Sequence, residues 1–453
     1  MHRTKAAVAV TLTGVLLAGC SADGNGGSGT GTGGKGSGAT APSLAELTVP
    51  PAYDGAEGWD QEIDWVPESA ESQMPVTTDG DTVAYVLRSG DRYTVQARDG
   101  ATGKVRWTSS PYRVPTVITD KPSYGYDEDN VEIPQVSVTR QDGRSYVAAW
   151  AHGRQDGDAL ATSKEIVQVD LYAMDSSGTS VAPQRRLSVP VTANKGTVGV
   201  HGGANEAGLV LSWEDNSSVL AASVDAVTGK VTQYDASSRI PDCTLMCGNQ
   251  SVVAVTSKGP VAQGSLDGFG LMDGWSSRDI APKGADRGLS DSPKGHIAAV
   301  RNGVFLAGWN AADDDATRIW SAHDLVTGRL LGSTTCGEGT TYTVADGVAS
   351  PGGRYVAHSS VVFDVKSRTG LCLQGDDTRR TIGVRALTDT GVAYGETDSD
   401  TGAKPVIELK VGDGKPTVLP EGTQLPAAIL KEGALFTLRE NGAGLLVSVR
   451  RNA

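Results

Sequence analysis

Phenylalanine is scarce in this chain, with 4 in 453 residues, and all aromatics together make up 5%. No apolar run approaches the ~20 residues that a helix needs to cross a bilayer, which excludes a permanent transmembrane helix. No long basic run occurs, and the formal net charge is −13 with the charges scattered. Duplex nucleic acid and an anionic lipid surface are therefore poor partners for the sequence as it reads. The 6 histidines are His2, His152, His201, His296, His323 and His358, and none falls into His-x₃-His or His-Glu-x-x-His. Neither a Gly-x-Ser-x-Gly elbow nor a phosphate-cradling Gly-x₄-Gly-Lys-Ser/Thr run is present, so nothing local supports a nucleophilic hydrolase or a nucleotide enzyme.

What the chain does have is glycine, 58 residues of it, together with frequent β-branched residues. That is the profile of many short strands joined by tight turns, and it predicts an all-β fold. One phrase recurs. Asp99-Gly-Ala-Thr-Gly103-Lys-Val-Arg-Trp107 returns as Asp225-Ala-Val-Thr-Gly229-Lys-Val and as Asp324-Leu-Val-Thr-Gly328-Arg-Leu, with a degenerate copy from Asp364 to Gly370-Leu371. In a hairpin turn the Asp bonds backbone amides ahead of it, the Gly supplies a positive φ, and the apolar residue after the basic one starts the returning strand. The Asp positions stand 126, 99 and 40 residues apart, which fits about three, two and one repeat units of ~40–50 residues. Four strands in each unit predict a β-propeller of seven or eight blades, eight being preferred. The last unit has strands at 434–439 and 445–450 and then ends; a strand near Trp59–Trp65 would complete it and close the ring, removing exposed sheet edges.

The phrase from Ala97 to Trp107, Ala-x-Asp-x-x-Thr-Gly-Lys-x-x-Trp, resembles the tryptophan-docking motif of the pyrroloquinoline quinone (PQQ) propellers. The resemblance implies a packing role for Trp107 against the neighbouring blade. Later copies carry Gln233 and Gly332 in its place. Quinoprotein dehydrogenases of that class use adjacent cysteines, a calcium ion and an Asp base, and this chain has no adjacent cysteines. No cofactor is expected; PQQ and calcium are the alternatives. Clustered acids that could hold calcium are Asp127-Glu128-Asp129-Asn130 and Asp313-Asp314-Asp315, against the simpler reading of solvated loops. Trp150, Trp213, Trp275 and Trp309 end candidate strands, where they either pack between blades or line a pocket.

At the front of the chain, His2, Arg3 and Lys5 precede an apolar run of about 13 residues that ends in Leu17-Ala18-Gly19-Cys20. This order resembles the lipobox of bacterial lipoproteins, and the resemblance implies a cleaved leader over 1–19 and a diacylglyceryl and palmitate anchor on Cys20. Two acyl chains hold a domain to a membrane where one would not. Residues 20–44 then read as a Gly/Ser/Thr linker with nothing to bury, whose r.m.s. span is about 25 Å. The domain occupies 45–453.

Four cysteines besides Cys20 remain, an even number suited to an oxidising compartment. Cys243 with Cys247, leaving Cys336 with Cys372, is one of three connectivities the sequence allows. A zinc site is the rival reading, but no His stands near the Cys-x₃-Cys pair. The expectation is a monomeric, lipid-anchored propeller on the extracytoplasmic face of the cell membrane. It would bind a protein, peptide or envelope ligand, with no chemistry of its own and no nucleic acid. The alternative is an enzyme, either a divergent quinoprotein or a glycan-active propeller.

Overall fold

The structure is a computed structural model. It describes residues 44–70, 73–118, 132–155, 157, 162–193, 195–202, 208–215, 218–234, 250–264, 268–286, 295–314, 317–337, 345–397, 404–439 and 443–453. Cys20, Cys243, Cys247, Asp127–Asn130 and Asp315 lie outside them.

Short strands follow one another as antiparallel meanders, each built of chain neighbours, as tight two- to six-residue turns require. Unit 1 holds Val76–Asp79, Thr82–Ser89, Arg92–Asp99 and Val105–Ser109. Unit 2 holds Gln135–Gln141, Arg144–Gln155, Lys164–Ala173 and Arg185–Pro190. Unit 3 runs from Lys195–Gly202 to Val231–Tyr234, and unit 4 has three described strands ending at Phe269–Leu271. Units 5 and 6 span His296–Cys336 and Val348–Cys372, joined edge to edge by a single parallel pairing, Ser333 with Thr369. Unit 7 spans Ile382–Val418. Unit 8 takes Ala428–Ile429, Gly433–Arg439 and Ala443–Asn452 from the end of the domain, and its fourth strand, Tyr53–Pro67, from the start.

These units stand side by side. First strands neighbour first strands, in units 1, 2 and 3 and again in units 6, 7 and 8, so they form the inner layer. The second strand of unit 1 shows why the sequence reads as a continuous apolar run: Val83 and Tyr85 enter the core shared with unit 8, while Ala84 and Val86 enter the core shared with unit 2. A strand alternates its side chains between two faces, and here a neighbouring sheet covers each face. Every pair of successive units encloses such a core. Leu171 meets Leu211 between units 2 and 3, Phe269 meets Phe305 between 4 and 5, and Tyr394 meets Phe436 between 7 and 8. The last core returns Leu435 and Val447 of unit 8 to Val83 and Tyr85 of unit 1. The architecture is that of a closed all-β propeller.

Two ends of each unit are distinguishable. One carries the turns between strands 1 and 2 and between strands 3 and 4; we call it the turn face. The other, the loop face, carries the turns between strands 2 and 3 and the connections from unit to unit.

Cys336 and Cys372 are disulfide-bonded, linking the fourth strands of units 5 and 6 across 36 residues. Replacing both by Ser is expected to cost about 2–4 kcal/mol by freeing that loop in the unfolded chain. Urea denaturation of the variant, beside the reduced and oxidised parent, checks it.

Candidate functional site

The recurring phrase sits on the turn face, between strands 3 and 4 of units 1, 3, 5 and 6. In the first copy the Asp99 carboxylate accepts the Thr102 amide at 2.9 Å, and Gly103, at φ 69°, returns its amide to the Asp99 carbonyl at 2.8 Å. Asp225 with Gly229 (φ 77°) and Asp324 with Gly328 (φ 69°) repeat this geometry. Arg106, hydrogen-bonded to Asp99, is the first of the causes that hold its carboxyl below the usual range. Arg354 does the same to Asp364, holding it at about 2.

The degenerate copy corrects the sequence reading. Its positive φ, 61°, falls on Arg368 and not on Gly370. Counted from Asp364, Arg368 stands where Gly103 stands from Asp99, and the turn bonds of Lys366 and Ser367 to Asp364 force the left-handed conformation there. Gly370 lies in the following strand, where an added Cβ would come 2.7 Å from both Phe363 and Thr334. A fifth turn, Lys410 to Lys415, has the same fold, with Gly414 at φ 64° bonding the Lys410 carbonyl. Because Lys410 replaces the Asp, the phrase is invisible there.

Trp107 is fully buried, stacks on Tyr172 of unit 2 at 5.5 Å between ring centres and donates its indole N–H to the Met174 carbonyl at 3.1 Å. Two further tryptophans dock in the same way without belonging to any copy. Trp59 of unit 8 lies against Gly103 and donates to the Gly100 carbonyl at 2.9 Å. Trp275, beyond the third strand of unit 4, lies against Gly328 of unit 5. A built Cβ would stand 2.6 Å from the Trp59 ring at Gly103 and 2.7 Å from Trp275 at Gly328. These glycines therefore serve the neighbour's indole as well as their own turn. Trp150, Trp213 and Trp309 are also buried in cores between units.

Of the acids singled out for calcium, Asp313 and Asp314 are exposed, and Asp314 caps Thr317. Among the described residues no three His, Cys, Asp or Glu side chains converge as metal ligands. The Cys336–Cys372 disulfide joins two outer strands, which is a staple between sheets and not the adjacent-cysteine platform of the quinoproteins. The described residues thus do not fit that cofactor.

The inner layer is lined by small neutral groups. Thr77, Thr78, Ser137, Gly199, Ser251 and Gly383 on the first strands are all partly exposed. Ser137 accepts the Trp150 indole N–H at 3.1 Å and donates to the Val200 carbonyl of the next unit at 2.9 Å.

One cluster of titratable groups stands on the loop face, and no spacing in the sequence pointed to it. His152, at the end of the second strand of unit 2, bonds Glu132 through Nδ1 and Glu165 through Nε2, the latter at 2.9 Å. Glu132 belongs to the connection entering unit 2, and Glu165 also accepts the Ala193 amide of the connection leaving it. The imidazole thus pins the incoming segment to the strand ends. Burial alone would lower the His152 pKa; the two carboxylates outweigh it and raise the group from 6.5 to about 9. The cluster contributes its full stability below about 6.5 and loses it as pH rises through about 9. The parent protein is expected to lose stability between those values relative to His152→Gln, in which that limb is absent; thermal melts of both across the range check this. His323 behaves oppositely. Buried against Phe305 at 5.0 Å and bonded to the Gly328 carbonyl, it is held neutral, its pKa lowered to about 4 chiefly by burial.

No protein-family profile and no curated protein sequence matches the chain. Among solved structures it is similar to the WD40 domain of SCAP from fission yeast, at 9% identity and a TM-score of 0.39, covering 87% of this chain and 98% of that one. It is similar also to the β-propeller domain of the Trilobed protease from Pyrococcus furiosus, at 11% identity and 0.36, covering 83% and 93%. The WD40 domain of Toxoplasma gondii coronin stands at 10% and 0.34, covering 90% and 89%. The order of the sheets and the cores between them define the class: this is a β-propeller.

Proposed function

We propose that this is an eight-bladed, lipid-anchored, extracytoplasmic propeller that binds a protein, peptide or envelope ligand on its loop face. The inner layer carries this reading: its partly exposed first-strand side chains at Thr77, Thr78, Ser137, Gly199, Ser251 and Gly383 are small and neutral, which suits a binding scaffold better than acid–base chemistry along the axis. The turn face spends its polar groups within its own turns, whereas the loop face carries the long connections on which binding residues are usually mounted. The disulfide between units 5 and 6 suits an oxidising compartment.

The enzyme reading has one observation in its favour, the Glu132–His152–Glu165 cluster. Both carboxylates there are committed to the imidazole, which is the arrangement of a structural pin. Cys20→Ala tests the anchor: incorporation of labelled palmitate and membrane retention should both be lost, and labelling that persists would overturn it. Turnover of a glycan or a quinone-coupled substrate by the purified chain, abolished in Glu165→Gln, would replace the binding reading by the enzyme.

A further inference from the structure

Basic residues that lie far apart in the sequence are brought to one end of the ring by the fold. Lys104, Lys230, Arg329 and Arg368 each belong to a strand 3–4 turn on the turn face, in units 1, 3, 5 and 6, and Lys415 belongs to the equivalent turn of unit 7. All five side chains are exposed, and among the described residues none forms an ion pair with a carboxylate. The acids of the same turns point the other way. Asp99, Asp225, Asp324 and Asp364 are at most partly exposed, because each accepts amides of its own turn, as in Asp225 with Thr228 at 2.6 Å and Asp324 with Thr327 at 2.8 Å. Each turn is thus an oriented pair, carboxylate inward and cation outward. At the turn face as a whole, basic and acidic side chains nearly balance, while the chain carries −13, so the excess of acid belongs elsewhere.

A charged surface approaching within a Debye length, about 8 Å at physiological ionic strength, responds to the outermost charges first. We propose that the turn face is the side this domain turns toward an anionic phospholipid surface, leaving the loop face outward for its ligand. The proposal rests on the lipid-anchor reading, which places the domain beside such a surface. It also revises the expectation from the linear sequence, where the same cations are scattered.

The test uses the full acylated chain in vesicles of phosphatidylcholine, with and without phosphatidylglycerol, and measures lysine acetylation by mass spectrometry. Lys104, Lys230 and Lys415 should react about threefold or more slowly on the anionic vesicles, with the difference removed at about 0.5 M NaCl. Lys164, Lys283 and Lys404, exposed on the loop face, should change little. Equal protection of both sets, or protection of the loop-face set, would overturn the proposal. If the chain is not acylated, the anchor reading has failed, and the same lysines are then read with the unanchored chain on anionic vesicles at low salt. Selective protection of the turn-face set still supports the orientation there, and its absence overturns it.

Discussion

Replacing Trp107 by Ala is expected to cost about 3–5 kcal/mol of stability, the range for an aromatic side chain removed from a close-packed core. The ring fills the space between units 1 and 2, is fully excluded from solvent and stacks on Tyr172. Nothing on the short strand from Val105 to Ser109 can move in to fill the hole without breaking its pairing with Arg92–Asp99. Trp107→Phe separates the two contributions. It keeps most of the packing and loses the hydrogen bond to the Met174 carbonyl, and should therefore fall well short of the Ala variant. Urea midpoints of the three proteins check the order. A Trp107→Ala loss below about 1 kcal/mol would mean that the units do not rely on this docking.

The second large effect lies at the closure of the ring. Arg450, on the third strand of unit 8, is fully buried and bonds Asp60 of the closing strand at 2.7 Å. Asp60 in turn accepts the Ala45 amide at 2.6 Å, and Arg450 donates to the Ala45 carbonyl at 2.9 Å. Burial would raise the Asp60 pKa; Arg450 and the Ala45 amide hold it below the usual range. Asp60→Ala leaves a guanidinium buried without its counter-ion, an expected loss of about 3–5 kcal/mol. Because a buried ion pair replaced by apolar groups of similar volume is often near neutral, adding Arg450→Met to Asp60→Ala should restore much of the loss. If the double variant is as unstable as the single, the cost comes from the freed N-terminal segment and not from the stranded charge. Hydrogen exchange at the amides of 53–67 distinguishes the two, since only a freed closing strand exchanges early.

Both effects bear on what could be read from the sequence. The turn phrase was legible because its chemistry is local: Asp, Thr, Gly and a cation within six residues specify one turn wherever they occur. Closure by Trp59–Trp65 was legible because the last unit ran out of chain. The docking of Trp59 and Trp275 was not, because each ring belongs to one unit and the glycine it presses on to the next. Gly370 was misplaced for a related reason. A glycine in a turn phrase is the natural candidate for positive φ, but the bonds to Asp364 fix the position by counting, and Arg368 occupies it. The His152 cluster left no trace because its members stand 13 and 20 residues apart along the chain and converge only when the entering connection folds over the strand ends.

The central claim is that the loop face of an anchored propeller captures a ligand. It is tested most directly by placing a photo-crosslinking amino acid at Lys164, Lys283 or Lys404 on the loop face, and at Lys104, Lys230 or Lys415 on the turn face. The anchored protein is then irradiated in its native envelope. The account predicts one discrete adduct from the loop-face positions, absent from the turn-face positions and lost when the loop-face probe is moved there. An adduct of the same identity from the turn face alone, or none from the loop face in an envelope where the protein is abundant and folded, would contradict it.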